Sequence, residues 1–353
     1  MNLHDHIVAR IAATGPMRID EYMTTCLLHP TAGYYTTRDP LGTQGDFVTA
    51  PEISQMFGEM IGLCLAQYWL ENGAPDPFTL AELGPGRGTL MADILRACRG
   101  VPGFVAAARV HLVEVSPTLQ DIQRDRLSDF DVTWAASVED LPDQPLILVA
   151  NEFFDALPVR QLLRDGAGWR ERQVGLQDGA LAFGLGPAQP QPALSDRLQD
   201  TQDGDLVESC AAATPVIATV ADRLRAQGGC ALIIDYGDWR PLGDTFQAVH
   251  GHRKVSPLAT PGEADLTAHV DFAALAEAAA PCVHSQLTPQ GVFLERLGIT
   301  DRARTLAAGM SDRQLDAHVA AHRRLTHPDE MGNLFKVMAL MPPGATPPPG
   351  LET

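Results

Sequence analysis

The chain has no Cys-x-x-Cys pair, and its six cysteines (Cys26, Cys64, Cys98, Cys210, Cys230 and Cys282) stand at least 20 residues apart. That spacing supplies neither a disulfide framework nor a zinc-ligand set, and describes reduced, buried small hydrophobes. Long apolar runs are missing too. No stretch approaches 18 apolar residues, so no segment is expected to insert in a membrane. The first fifteen residues carry His4, Asp5, His6 and Arg10 and lack the apolar stretch of a signal peptide. Positive charge is scarce, with 26 Lys and Arg against 44 Asp and Glu, a net charge of −18. Phosphate backbones and anionic membranes repel such a chain, so no nucleic acid is expected as a partner. His250 and His252 flank Gly251 without a third ligand at metal spacing, and no metal is expected. No internal repeat or clear interdomain linker is visible. Together these absences describe a cytoplasmic protein, open to a cationic or zwitterionic partner and to oligomeric assembly.

What is present is ample core. The 353 residues are 45% hydrophobic, enough to fold without disulfides or metals. Apolar residues recur at helical spacing over Ile7 to Ala12, Gly15-Pro16 interrupts them, and Ile19 to Leu28 resumes the pattern. A Gly-, Thr-, Pro- and Tyr-rich loop from His29 to Pro51 precedes a longer helix to about Leu70. From residue 78 the rhythm becomes strand, turn, helix. Phe78 to Leu83, Val110 to Val115 and Pro145 to Ala150 read as buried parallel strands, with helices over Thr89 to Cys98 and Pro117 to Leu127. That alternation predicts a doubly wound α/β fold. Residues 158–186 read as antiparallel hairpins turning at Asp165-Gly166 and Asp178-Gly179. Residues 187–204 read as a mobile loop, and a helix is expected from about Asp205 to Ala226. Cys230 to Asp235 is a further strand, and a long loop runs from Tyr236 to His269. Helices fill most of 271–325, and Asn333 to Leu340 is a last strand. The predicted division is a helical extension over 1–77, a core over 78–341 with insertions at about 158–204 and 236–269, and a disordered tail at 342–353.

The sharpest motif is Glu82-Leu83-Gly84-Pro85-Gly86-Arg87-Gly88, which leaves a strand and opens a helix. Glycines there let the backbone turn and approach a ligand closely. The spacing is G-x-G-x-G, not the dinucleotide G-x-G-x-x-G, and Pro85 removes an N–H that a pyrophosphate would use. Glu82, two residues before the first glycine, suits the cationic amino group of S-adenosyl-L-methionine. Glu114 follows at the end of the next strand, where a carboxylate accepts ribose hydroxyls. Asn151-Glu152-Phe153-Phe154-Asp155 follows a third strand, at the carboxyl edge where substrates meet cofactors in such folds. The alternative there is a helix start decorated by acids.

The block Gly45-Asp46-Phe47-Val48-Thr49-Ala50-Pro51-Glu52-Ile53-Ser54-Gln55-Met56-Phe57-Gly58-Glu59 resembles the signature of one family, the mitochondrial complex I assembly-factor protein arginine methyltransferases and their bacterial relatives. Glu82 to Leu90, Val110 to Ser116, Asn151 to Val159, Ile233 to Gly237, Thr267 to Phe272 and Met331 to Lys336 are similar to the same family. The resemblance spans about residues 5–340, and some relatives carry His at the position of Asn151. It implies a Rossmann-like class I methyltransferase that uses S-adenosyl-L-methionine and N-methylates an arginine of a respiratory NADH dehydrogenase subunit. Glu82, Gly84, Gly86, Gly88 and Glu114 carry over as cofactor residues, with Ser137 and Val138 at the adenine. Thr49, Ser54 and Gln55 are expected to close over the cofactor.

An arginine acceptor stays protonated in water, so a carboxylate must orient its guanidinium. Glu152 is the first candidate, with Asp155 and Asn151 beside it as catalytic residues. Asp235, Asp265 and His269 are expected to contact the substrate. The other readings are a Rossmann oxidoreductase, which the glycine spacing disfavours, a small-molecule methyltransferase, and a noncatalytic complex I assembly chaperone that retains the cofactor.

Overall fold

The computed structural model describes residues 2–37 and 49–352, so Gly45, Asp46, Phe47 and Val48 of the signature block lie outside the described residues. The described chain forms two compact units.

The first unit takes in residues 2–37, 155–214 and 240–271. Its leading helix, Leu3–Thr14, starts where the Asn2 side chain accepts the Asp5 N–H at 2.8 Å. The helix stops at Gly15, whose φ of 88° is left-handed. Ile7 and Ile11 face inward with Ile19, Tyr22 and Met23 of the second helix, Ile19–Leu28. They share one apolar core with Val174, Phe246 and Leu266. Strands Arg160–Asp165, Gly168–Gln177 and Ala180–Gln189 are the expected hairpins, joined edgewise by Met17–Arg18 and Leu206–Ser209 into an antiparallel sheet.

Three expectations fail in this unit. Residues 187–204 are not a mobile loop throughout, because Pro192–Leu194 and Asp196–Leu198 form short 3₁₀ turns that bury Leu194 and Arg197. Arg197 is ion-paired to Asp200 at 3.0 Å and Asp271 at 3.5 Å. The helix expected from Asp205 begins only at Ala213. Before it, Leu206–Ser209 is a strand, because Val207 and Glu208 are both buried against the hairpin sheet. The long loop from Tyr236 to His269 contains a small sheet, in which Gln247–His250 pairs with Arg253–Val255 and with Asp265–Thr267.

The second unit takes in residues 49–154, 215–239 and 272–352. Its main sheet runs 335–341, 229–238, 146–151, 78–83, 108–113, 132–135 in spatial order. All neighbours are parallel except Phe335–Met341, which lies antiparallel on Gly229–Asp238. The strand order reverses between Phe78–Leu83 and Leu146–Asn151, and ligands of such sheets bind outside the carboxyl ends at that reversal. Register brings the two strand ends level, with Leu83 beside Ala150.

Helix Gln55–Glu71 buries Met56, Phe57, Met60, Ile61, Leu65 and Trp69 in the same core as the sheet residues Phe78, Leu80 and Leu112. It therefore belongs to this unit, although the expected boundary between extension and core falls at residue 77. The tail is ordered to Glu352, contrary to expectation. Leu351 is buried in the main core, Gln286 N–H donates to the Glu352 carbonyl at 2.7 Å, and Arg296 pairs with the Glu352 carboxylate at 2.9 Å. Proline-rich composition makes a chain extended, and here the extended chain has an apolar surface to lie on.

Candidate active site

The glycine turn grows directly out of the Phe78–Leu83 strand. Gly84, Gly86 and Gly88 have φ of 58°, 54° and 75°, a region that side-chain-bearing residues adopt at a cost. A Cβ on Gly84 would stand 2.8 Å from the Phe153 ring, so the turn and the 151–154 segment approach as closely as glycine permits. Gly84 N–H donates to the Val113 carbonyl at 3.1 Å, which ties the turn to the neighbouring strand.

Glu82 is 3% exposed, and its Oε2 has no hydrogen-bond partner among the described residues. Burial pushes its carboxyl up to about 8, against a backbone N–H bond from Met91 that lowers it. Glu114 lies just after the Ala108–Val113 strand and is buried. Its Oε1 accepts the Ser116 N–H at 2.7 Å. Burial raises its carboxyl, partly offset by hydrogen bonds from Ser116 and Gln123.

Asn151 and Glu152 stand across the strand reversal from Glu82. Glu152 has a φ of 52°, a left-handed backbone on a residue with a long side chain. Such strain concentrates at functional positions. Its Oε1 accepts the Ala50 N–H at 2.9 Å and the Asn151 side-chain amide at 3.1 Å. Asn151 Oδ1 is buried without a hydrogen-bond partner among the described residues. The signature block thus meets the strand ends and the following helix at one point each. Ala50 meets Glu152, and Glu52 accepts the Thr89 hydroxyl at the first turn of the helix that follows the glycines.

The other members of the block act locally. Thr49 is the N-cap residue of Ala50–Ile53. Ser54 caps Gln55–Glu71, its hydroxyl accepting the Met56 N–H at 3.2 Å, and Gln55 is exposed at that helix start. Ser137 caps a short turn, donating through its hydroxyl to Asp140 at 3.1 Å, and Val138 is buried. Val115, expected as the last residue of a buried strand, lies beyond Ala108–Val113 and is 69% exposed, because the strand ends two residues earlier.

Asp235 is fully buried and differs from the substrate contact that was expected. Its Oδ2 accepts the N–H groups of Phe153 at 3.2 Å and Phe154 at 3.0 Å, and its Oδ1 that of Tyr236 at 2.9 Å. It anchors the segment that carries Glu152. Asp155, Asp265 and His269 fall in the first unit. There Tyr35 donates its hydroxyl to Asp265 at 2.7 Å, and burial together with the charges of Asp265 and Asp155 raises the phenol well above its ordinary range. His269 is half-buried, and its backbone N–H donates to the Thr245 hydroxyl oxygen at 2.8 Å.

Sequence reading also missed Gln123. It lies fully buried between Leu119 and Leu127, a polar residue at apolar helical spacing, which was the available signal. Its amide donates to the Gly86 carbonyl at 2.7 Å.

This donor set fits S-adenosyl-L-methionine. A buried carboxylate oxygen without a partner suits an ammonium, the glycine turn leaves room beside it that a Cβ would fill, and a second carboxylate sits at the ribose position of the fold. Sheet order and site together define a class I S-adenosyl-L-methionine-dependent methyltransferase. The model of an S-adenosyl-L-methionine-dependent methyltransferase family matches residues 60–290. The chain is 37% identical to the mitochondrial protein arginine methyltransferase NDUFAF7 of Xenopus tropicalis, over 96% of this chain and 86% of that protein. It is 36% identical to the human NDUFAF7, over 96% and 82%. A Burkholderia thailandensis protein crystallised with S-adenosyl-homocysteine superposes with a TM-score of 0.82 at 29% identity, covering 99% of this chain and 93% of that one. The chain belongs to the family of the NDUFAF7 protein arginine methyltransferases. Among the described residues, no helix is long and apolar enough to cross a membrane.

Proposed function

We propose that this methyltransferase N-methylates an arginine side chain of a respiratory NADH dehydrogenase (complex I) subunit. The carrying observation is Glu152, a carboxylate on a strained backbone, held by Ala50 and Asn151 at the carboxyl edge of the sheet. The names of the relatives and the resemblance of the signature block supply the arginine and the respiratory client.

In this reading Glu82, Gly84, Gly86, Gly88 and Glu114 hold the cofactor, with Ser137, Val138 and the Thr49, Ser54 and Gln55 block around it. The cofactor supplies a methyl group on a sulfonium, which departs as a neutral thioether. Glu152 pairs with the guanidinium and turns one nitrogen toward the methyl carbon, since alignment at about 3 Å provides much of the acceleration in such displacements. Carboxylates match the planar guanidinium fork, and the buried Asn151 Oδ1 offers a further acceptor for its N–H groups. The new carbon–nitrogen bond leaves a proton to be shed from the guanidinium. Asp155 is the second catalytic carboxylate of this reading, Asp265 and His269 are its substrate contacts, and Asp235 is the anchor of the Glu152 segment.

The test is mass spectrometry of NADH dehydrogenase subunits purified from cells with and without this protein. One arginine should lose its methylation when the protein is absent, and activity should return with the wild type and not with Glu152→Ala. An unchanged methylation pattern would refute the respiratory client. Restoration of methylation by Glu152→Ala would refute the assignment of Glu152.

A further inference from the structure

We infer that Gln123 is a positioning residue for the cofactor, holding the glycine turn and the ribose carboxylate in their binding geometry. Gln123 lies on the helix Pro117–Arg126, outside every cofactor motif of the sequence, and is fully buried. Its side chain reaches three separate elements. Its Oε1 accepts the Trp134 indole N–H at 2.8 Å, and Trp134 belongs to the Val132–Ala135 strand. Its Nε2 donates to the Gly86 carbonyl at 2.7 Å and makes a longer contact of 3.5 Å to Glu114 Oε2.

The direction of the amide is forced. An indole nitrogen can only donate, so the oxygen of Gln123 must face Trp134. The NH2 group is thereby turned to two acceptors, the Gly86 carbonyl and the Glu114 carboxylate. No other uncharged side chain of that length offers an acceptor and two donors in this arrangement.

The consequence for the turn is geometric. Gly86 sits at φ 54° between two other left-handed glycines, a backbone with few constraints of its own. The bond from Gln123 fixes its carbonyl inward, toward the helix. The Gln123 Cγ also lies 3.4 Å from where a Cβ on Gly88 would stand, so the same side chain supports the end of the turn. Glu114 has its Oε1 fixed by Ser116, and the Gln123 contact sets the rotation of the other oxygen. Gln123 therefore acts through Gly86 and Glu114.

The test replaces Gln123 by Met, which preserves length and apolar packing and removes both polar ends. Binding of S-adenosyl-homocysteine is measured by calorimetry on the protein alone, and KM and kcat are measured with S-adenosyl-L-methionine as the varied substrate. The inference predicts a tenfold or greater loss of S-adenosyl-homocysteine affinity and a matching rise in KM, with kcat at saturation within about threefold of wild type. An unchanged affinity, or a fall in kcat with KM unchanged, overturns it. If Gln123→Met does not fold, Trp134→Phe decides, because it removes the donor that orients the amide and keeps the ring's packing. That variant should raise KM severalfold at unchanged kcat, and an unchanged KM overturns the inference.

Discussion

Glu82 gives the sharpest physical prediction, because its carboxyl is buried and has no ion-pair partner among the described residues of its unit. Burial pushes it up to about 8, from an ordinary 4.5. At neutral pH the ligand-free protein therefore carries Glu82 mostly protonated. An ammonium placed against Oε2 reverses this by favouring the ionised form. Cofactor binding at pH 7 should then release close to one proton, about 0.9 for a group with a value near 8. The same shift acts on folding. The native state holds this proton between about pH 4.5 and 8 while the unfolded chain has lost it, so the stabilising contribution is full below the ordinary value and lost as pH rises through about 8. Each unit of that window is worth about 1.4 kcal/mol, so the ligand-free protein at pH 7 forgoes roughly 3 kcal/mol. Glu82→Gln cannot ionise. It should gain about that much stability at pH 7 and little at pH 4.5, while binding S-adenosyl-homocysteine far more weakly. Urea unfolding at the two pH values reads the first effect. Calorimetry in two buffers of different ionisation enthalpy reads the proton. Buffer-independent heats, or a variant that binds as tightly as wild type, would refute the reasoning.

Two further predictions concern the scaffold. Glu59, the last residue of the signature block, is buried among Arg96 at 2.9 Å and Arg302 at 2.7 Å. Burial would raise its carboxyl, but hydrogen bonds from Arg302 and Arg96 outweigh it and hold the group below its ordinary range. Glu59→Gln should cost about 2–3 kcal/mol at pH 7. That difference, followed by urea midpoints, should shrink as pH falls below about 4, because the contribution of a lowered carboxyl is lost on acidification. Gly84→Ala forces a left-handed alanine, at roughly 1–2 kcal/mol, and drives a methyl into Phe153. S-adenosyl-homocysteine affinity should fall about tenfold or more by calorimetry, and unaltered binding would mean that the turn does not shape the cofactor site.

The parts of the fold that sequence made legible are those where local and tertiary preferences coincide. Phe78 to Leu83 is mostly apolar and buried on both faces, Thr79 and Glu82 included, and Thr89 to Cys98 is strongly amphipathic, so both emerge with the bounds their patterns imply. The 160–189 hairpins were announced by their Asp-Gly turns. Leu206–Ser209 was not legible. Its helical neighbour shares its composition, and only pairing with Arg160–Asp165 makes it a strand. The tail was misread because composition says nothing of the apolar surface that Leu351 finds.

In the site, the positions of Glu82, the three glycines and Glu114 were readable, because Glu82 lies next to last in a strand and the others directly follow one. Asp235 was readable as an acid near the end of a strand, but not as an anchor. Its three backbone partners come from its own strand and from the neighbouring loop, and no linear pattern records them. Gln123 was hidden for the same reason, since its partners lie on three other segments.

The central claim is that Glu152 serves methyl transfer to arginine. The most direct measurement supplies S-adenosyl-L-methionine labelled in its methyl group, with wild type or Glu152→Ala, to respiratory NADH dehydrogenase from cells lacking this protein. Acid hydrolysis then identifies the labelled amino acid. The account predicts labelled methylarginine with wild type and at least about a hundredfold less with Glu152→Ala, a loss of roughly 3 kcal/mol in transition-state stabilisation. S-adenosyl-homocysteine binding should be retained in the variant. Label in another amino acid, or equal labelling by both proteins, would contradict it.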